Sequence, residues 1–240
     1  MGTVNKLKIE NLKLKIFVLH GWTYSRQKWD PFLSFLKSEG LNPYLLSIPG
    51  LTDKIDRPWD IDDYANWLYK KFENEKDKII LIGHSNGGRI ALAFACSYPE
   101  KISKLILIDS AGIYHNEFSL RIKRAIFKAA AKIGKRLIDS KKAKDLLYFL
   151  AREKDYKNAS PNVKKTMLNL LKSDKNLALG NIKAPTIIIW GRGDRITSLS
   201  DGKMLNQKIR NSKLFIIDNS SHSPQFTHPK EVVNIIAGQL

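Results

Sequence analysis

The stretch Ile79-Ile80-Leu81-Ile82-Gly83-His84-Ser85-Asn86-Gly87-Gly88 joins an apolar run to Gly-x-Ser-x-Gly and then to a helix-forming segment. An apolar strand that turns sharply into a helix at a serine reads as a nucleophile elbow, with the hydroxyl projecting at the carboxyl end of a sheet. Such a turn leaves no room for side chains two residues before and after the serine, and Gly83 and Gly87 stand at those places. The amide of Asn86 is then left free at a helix N-terminus, where the dipole and unpaired N–H groups favour a developing oxyanion. Ser85 is therefore the candidate nucleophile.

Outward from this segment, five further apolar runs recur with helical patterns between them: Leu14 to Leu19, Pro43 to Ile48, Leu105 to Ile108, Thr186 to Trp190 and Leu214 to Ile217. Near-continuous hydrophobicity fits strands buried on both faces of a parallel sheet. Asp60 before Ile61-Asp62-Asp63-Tyr64 reads as a helix N-cap with acidic residues in the first turn, and Pro229 as the opening of the last helix. Alternating strands and helices give an α/β class with an open, mostly parallel sheet. The alternation breaks once, between Ile108 and Thr186, where Ile122, Ile126, Ala130, Ile133 and Leu137 share one helical face. We expect a core over residues 1–112 and 182–240 and an inserted helical cap over 113–181.

Composition narrows the function. The 240 residues carry a formal net charge of +18 and 43% apolar residues. Residues 113–181 hold 17 Lys and Arg against 6 Asp and Glu, so most of the excess sits in the expected cap. This charge fits an acidic partner. The basic residues follow no nucleic-acid-binding motif, and a nucleic-acid partner is not expected. No apolar run approaches the roughly 18 residues of a membrane span, the first residues do not resemble a signal peptide, and the single Cys96 forms no internal disulfide. A cytoplasmic protein without stable membrane association is expected. Cys96, among alanines, reads as a packed thiol, and the five histidines show no metal spacing.

A serine needs a base and a group that orients the base. Trp190-Gly191-Arg192-Gly193-Asp194 follows the fifth apolar run and Asn219-Ser220-Ser221-His222-Ser223-Pro224 the sixth, which puts Asp194 and His222 in loops at strand carboxyl ends. In an open α/β sheet those ends share one crevice. Asp109, at the end of the fourth run, is a rival acid. His20-Gly21-Trp22 follows the first run, and the Trp22 amide with that of Asn86 would form a two-donor oxyanion hole. His84 reads as packing behind the elbow, His20 as holding the oxyanion loop, and His115 and His228 as surface or capping residues.

These four motifs, in this order and with the cap insertion, resemble an α/β-hydrolase-fold serine hydrolase over nearly the whole chain. The resemblance implies Ser85 as nucleophile, His222 as base, Asp194 as acid, a substrate between core and cap, and no cofactor. Epoxide hydrolases and haloalkane dehalogenases on this fold use a carboxylate nucleophile, and position 85 is serine. The expected reaction is hydrolysis of a small carboxylic ester or thioester. The alternatives are a C–C bond hydrolase of ring-cleavage dienones, suggested by Trp190 to Arg195, an esterase or thioesterase served by an acidic acyl carrier protein at the basic cap, and a silent binding protein. Trp22 and Trp190 are candidates for an acyl or aromatic pocket. Two departures stand out: the short segment before the first strand leaves no room for an opening hairpin, and Ser47-Ile48-Pro49-Gly50 replaces the usual Asp before Pro-Gly.

Overall fold

In the computed structural model, which describes residues 15–22, 25–114 and 159–240, the six apolar runs form one sheet. Its strands are β1 (Ile16–Leu19), β2 (Pro43–Leu45), β3 (Ile79–His84), β4 (Ile102–Ile108), β5 (Thr186–Gly191) and β6 (Ser212–Ile217). Their order is β2-β1-β3-β4-β5-β6, and every pairing is parallel. From β1 the chain steps outward to β2 and then crosses back to β3. The strand order thus reverses between β1 and β3, the place where ligands bind in open α/β sheets.

Alternation along each strand sends successive side chains into two separate cores. Phe17, Leu19, Leu81, Leu105, Leu107, Ile188 and Trp190 face one core, while Ile16, Val18, Ile80, Ile82, Ile106, Ile108, Ile187 and Ile189 face the other. Helices α2 (Ile61–Lys71), α3 (Asn86–Ser97) and α5 (Leu199–Lys208) close the first face, and α1 (Arg26–Ser38) and α7 (Pro229–Ala237) the second. Both faces of the sheet are therefore dry, which explains the unbroken apolar runs. The short α6 (Pro224–Thr227) directly precedes α7.

The local signals take the expected forms. Asp60 accepts from the amides of Asp62 and Asp63 while Asp63 accepts from the Asp60 amide, a reciprocal cap at the start of α2. Pro229 occupies the first turn of α7, where its missing N–H costs nothing. Strand β2 ends three residues earlier than its apolar run, because the Ile48 carbonyl accepts from the amides of Leu51, Thr52 and Asp53 and closes a turn instead. Strands β4 and β6 begin earlier than expected, at Ile102 and Ser212, with polar residues at their amino ends. Leu14, the basic helical pattern around Ile122 to Leu137 and His115 lie outside the described residues.

The first helix among the residues described beyond β4 is α4 (Pro161–Ser173). Its side chains bond to the loop before α2: Asn162 donates to the Asp56 carbonyl, Thr166 accepts from the Trp59 amide and Asn169 donates to the Trp59 carbonyl. These positions repeat at helical spacing, so one polar stripe fixes the helix along its length. Leu170 and Leu179 add to the first core.

Candidate active site

Ser85 sits between β3 and α3 with φ 53° and ψ −120°, a conformation that costs a non-glycine residue about 1–3 kcal/mol. The surroundings hold it there. Its amide donates to the Ile108 carbonyl, and its carbonyl accepts from Gly88, Arg89 and Ala111. A Cβ at Gly83 would lie 2.7 Å from the Gly87 carbonyl oxygen, and one at Gly87 would lie 2.3 Å from that of Leu19. Both glycines are thus required by backbone crossing at the elbow.

The three residues singled out in the sequence meet at the carboxyl ends of the strands. His222 Nε2 lies 3.0 Å from Ser85 Oγ, and His222 Nδ1 lies 2.8 Å from Asp194 Oδ2. Since a carboxylate only accepts, Nδ1 carries the proton and Nε2 is free to accept from the serine hydroxyl. Asp194 is buried but well supplied with donors. Its Oδ1 accepts from the amides of Ile196 and Thr197, and Thr197 Oγ1 lies 2.7 Å from its Oδ2. Burial alone would raise this carboxyl, yet the hydrogen bond and charge of His222, with the Ile196 amide and the Thr197 hydroxyl, outweigh it and hold Asp194 below the usual carboxylate range. Arg192 does not compete for it, as it pairs with Asp218 instead.

The loop after β1 runs against the elbow: a Cβ at Gly21 would lie 3.1 Å from both the His84 ring and Ser85 Cβ. The next amide in the chain is that of Trp22, and the first amide of α3 is that of Asn86. Buried His20 places Nδ1 2.7 Å from the Gly21 carbonyl, and burial lowers the ring to about 4, so it stays neutral. His84 is more than packing. Its Nε2 donates to the His222 carbonyl at 2.8 Å, and burial, with the neighbouring His222, lowers it to about 3. The ring behind the elbow thereby anchors the loop that carries His222.

Two contributions escaped the sequence. Thr197 supports Asp194 and also lies 3.1 Å from the Asp109 carbonyl; an Asp followed three residues later by Thr is the available signal, and it is a common turn pattern. The His84 contact spans 138 residues and has no local signature. Trp190 is no pocket wall, since it is fully buried and its indole N–H donates to the Thr197 carbonyl. Cys96 is partly buried, and burial pushes its thiol up to about 11. His228 precedes α7 without capping it by its side chain. Among the described residues, one group of three possible metal ligands, Asp109, Asp194 and His222, comes together. The carboxylate–imidazole bond between Asp194 and His222 already occupies the facing atoms.

A doubly covered parallel sheet, a serine elbow at its switch point and a carboxylate–imidazole pair on the loops after β5 and β6 together define the α/β hydrolase architecture. A family model described as alpha/beta hydrolase fold matches residues 16–229, and the chain belongs to that family. It is 25% identical over 251 residues to monoacylglycerol lipase ABHD6 of Homo sapiens, covering 93% of this chain and 74% of that protein. It is 27% identical to the pimeloyl-[acyl-carrier protein] methyl ester esterase of Wigglesworthia glossinidia brevipalpis, over 90% and 89% of the two chains. A 2-hydroxy-6-oxononadienedioate/2-hydroxy-6-oxononatrienedioate hydrolase of Pseudomonas putida is 26% identical, over 90% and 84%. Among solved structures, a putative lipase of Acinetobacter baumannii AYE superposes with a TM-score of 0.73 at 24% identity, over 95% and 84% of the chains, a likeness of fold. Among the described residues no helix is long and apolar enough to cross a membrane.

Proposed function

We propose that the protein is a serine hydrolase that cleaves a small carboxylic ester or thioester through an acyl-enzyme on Ser85. The observation that carries this reading is the unbroken chain from Ser85 Oγ through the His222 ring to Asp194 Oδ2, at 3.0 and 2.8 Å. His222 Nε2 takes the hydroxyl proton as Ser85 Oγ attacks the carbonyl carbon, and the carbonyl oxygen becomes an oxyanion facing the Trp22 and Asn86 amides. The proton passes from Nε2 to the leaving alkoxide or thiolate as the C–O or C–S bond breaks. Water then enters, gives a proton to Nε2, attacks the acyl carbon and releases the acid, while the proton returns to Ser85 Oγ. Asp194 keeps its negative charge throughout and stabilises the imidazolium.

The substrate lies between the core and an inserted cap over residues 113–181, in which α4 bonds to the loop before α2. The excess of Lys and Arg in that segment, together with a relative named for an acyl-carrier-protein ester, favours an acidic carrier as the donor of the acyl chain. The relatives named as dienedioate hydrolases support C–C bond cleavage as a second reading on the same three residues.

Intact mass after brief exposure to a fluorophosphonate, on native protein and Ser85→Ala, tests the reaction class. One adduct on native protein and none on the variant is expected; no adduct on folded native protein would sink the reading. Esters of graded acyl length, carrier-bound esters at rising salt and a ring-cleavage dienone then separate the substrate classes, because only carrier docking is screened by salt at this scale.

A further inference from the structure

A second carboxyl reaches the site from the loop after β4. Asp109 is fully buried and held at φ 40°, a left-handed conformation that strains most residues. Its Oδ1 accepts from the Gly191 amide at 2.9 Å, while its Oδ2, shielded from solvent, meets no N–H or hydroxyl donor among the described residues. One oxygen of Asp109 lies within 4.8 Å of an oxygen of Asp194 and of a ring nitrogen of His222. On β3, beside β4, His84 is a further titratable group; it pairs with Ile108 across the two strands and is held neutral by burial. No lysine or arginine among the described residues acts on Asp109.

Two buried carboxylates this close, with no lysine or arginine among the described residues acting on Asp109, do not both ionise, so one carries a proton. The donors decide which one. Asp194 receives two amides, the Thr197 hydroxyl and the His222 ring, all of which favour its anion. Asp109 receives a single amide. A proton on Asp109 also makes its carboxyl a donor toward the Asp194 carboxylate, and a hydrogen bond between these two side chains is among the influences that raise Asp109.

We propose that Asp109 is a positioning residue, carried as a neutral carboxylic acid that donates a hydrogen bond to Asp194 and holds that carboxylate against His222. The role of Asp109 as a rival acid is thereby replaced by one of support. Burial first, and the Asp194 charge second, push Asp109 up to about 9, consistent with a proton held through neutral pH. The positioning role rests on the hydrolase reading; the protonation does not.

The sign of the linkage gives a readout independent of activity. Folded protein keeps a proton on Asp109 that the unfolded chain releases near its ordinary value of 3.8. Stability from this group is therefore greatest in acid, falls as pH rises from about 4 to about 9, and is level above. Asp109→Asn retains the shape, the acceptor for Gly191 and an N–H in place of the acid proton, while Asp109→Leu removes the donor. Urea unfolding across pH 5 to 10 and the rate of fluorophosphonate labelling of Ser85 are measured on native protein and both variants.

Relative to Asp109→Asn, native protein is expected to lose stability with a one-proton slope as pH rises, on the shared background of the buried histidines below about pH 6.5. Labelling is expected to persist in Asp109→Asn without the loss that native protein shows above about pH 9, and to fall about tenfold or more in Asp109→Leu, the scale of a hydrogen bond to a charged group. Equal pH dependence of stability in native protein and Asp109→Asn overturns the proposal. So does loss of labelling in Asp109→Asn as deep as in Asp109→Leu, which would mean that a negative charge is needed at 109. If native protein takes no label, the hydrolase reading and the positioning role fall together, and the stability comparison still decides where the proton resides. If Asp109→Leu does not fold, the comparison of native protein with Asp109→Asn is sufficient.

Discussion

Arg89 and Asp174 form a two-pronged ion pair, Nε to Oδ1 at 2.6 Å and Nη2 to Oδ2 at 3.0 Å, with side chains only 8% and 11% exposed. The third arm of the guanidinium, Nη1, donates to Asn86 Oδ1 at 2.6 Å. One arginine on α3 therefore ties the residue after Ser85 to the chain segment that follows α4. Removing one partner leaves the other charged and buried, so Arg89→Met is expected to lower stability by about 3–5 kcal/mol. The double variant Arg89→Met, Asp174→Leu should recover most of that loss. Urea unfolding of the two singles and the double checks it, and strictly additive losses would contradict the coupling.

If the proposed hydrolase reaction is right, Ser85→Ala and His222→Ala should each fold and lose about 10⁴-fold or more in ester turnover, because a nucleophile and its base act as one unit. Thr197→Val removes the hydroxyl beside Asp194 Oδ2 and nearly keeps the volume. The expected cost is about tenfold in kcat with KM little changed. Steady-state kinetics on one ester separate these outcomes; a rise in KM alone would place Thr197 in substrate binding instead.

The buried histidines lower stability in acid, against the gain from Asp109. His20 is lowered to about 4 and His84 to about 3, both chiefly by burial. Each depressed histidine gives stability that is present above its ordinary value of 6.5 and is lost as pH falls through the window down to the folded value, because the unfolded chain takes up the proton first. At about pH 4.5 the two should together have removed about 4–5 kcal/mol relative to neutral pH. His84→Gln should lessen the acid loss, and should also slow turnover by loosening the His222 loop. Urea unfolding at both pH values checks the first effect and single-turnover kinetics the second.

Glycine substitutions give a contrast in sign. Gly83→Ala drives a Cβ to 2.7 Å from the Gly87 carbonyl oxygen and the Gly88 Cα, backbone atoms that cannot yield. A loss of about 3 kcal/mol or more, or failure to fold, is expected. At Gly180 a Cβ meets nothing within 4 Å, so Gly180→Ala should stabilise by about 0.4–1 kcal/mol by restricting the unfolded chain. Melting temperatures of the two variants should move in opposite directions.

Wherever the controlling interaction is local or periodic, it is legible in the residues themselves. Uninterrupted aliphatic runs specify strands covered on both faces, Asp60 and Asp63 specify a cap three residues apart, and the glycines flanking Ser85 specify a turn whose backbone crossings exclude a Cβ. Because consecutive strands of a parallel sheet present their carboxyl ends together, those same patterns bring Ser85, Asp194 and His222 to one crevice without any contact being known in advance. The tertiary structure alone decided what depends on long loops closing. It ended β2 where the Ile48 carbonyl found turn amides, and withdrew Trp190 into the core through its bond to the Thr197 carbonyl. It joined Arg89 to Asp174 across 85 residues and His84 to the His222 carbonyl across 138. It also set Asp109 beside Asp194. A charge or a ring carries no mark of its partner in sequence, since its worth is fixed by distance and dielectric, and both exist only once the chain has folded.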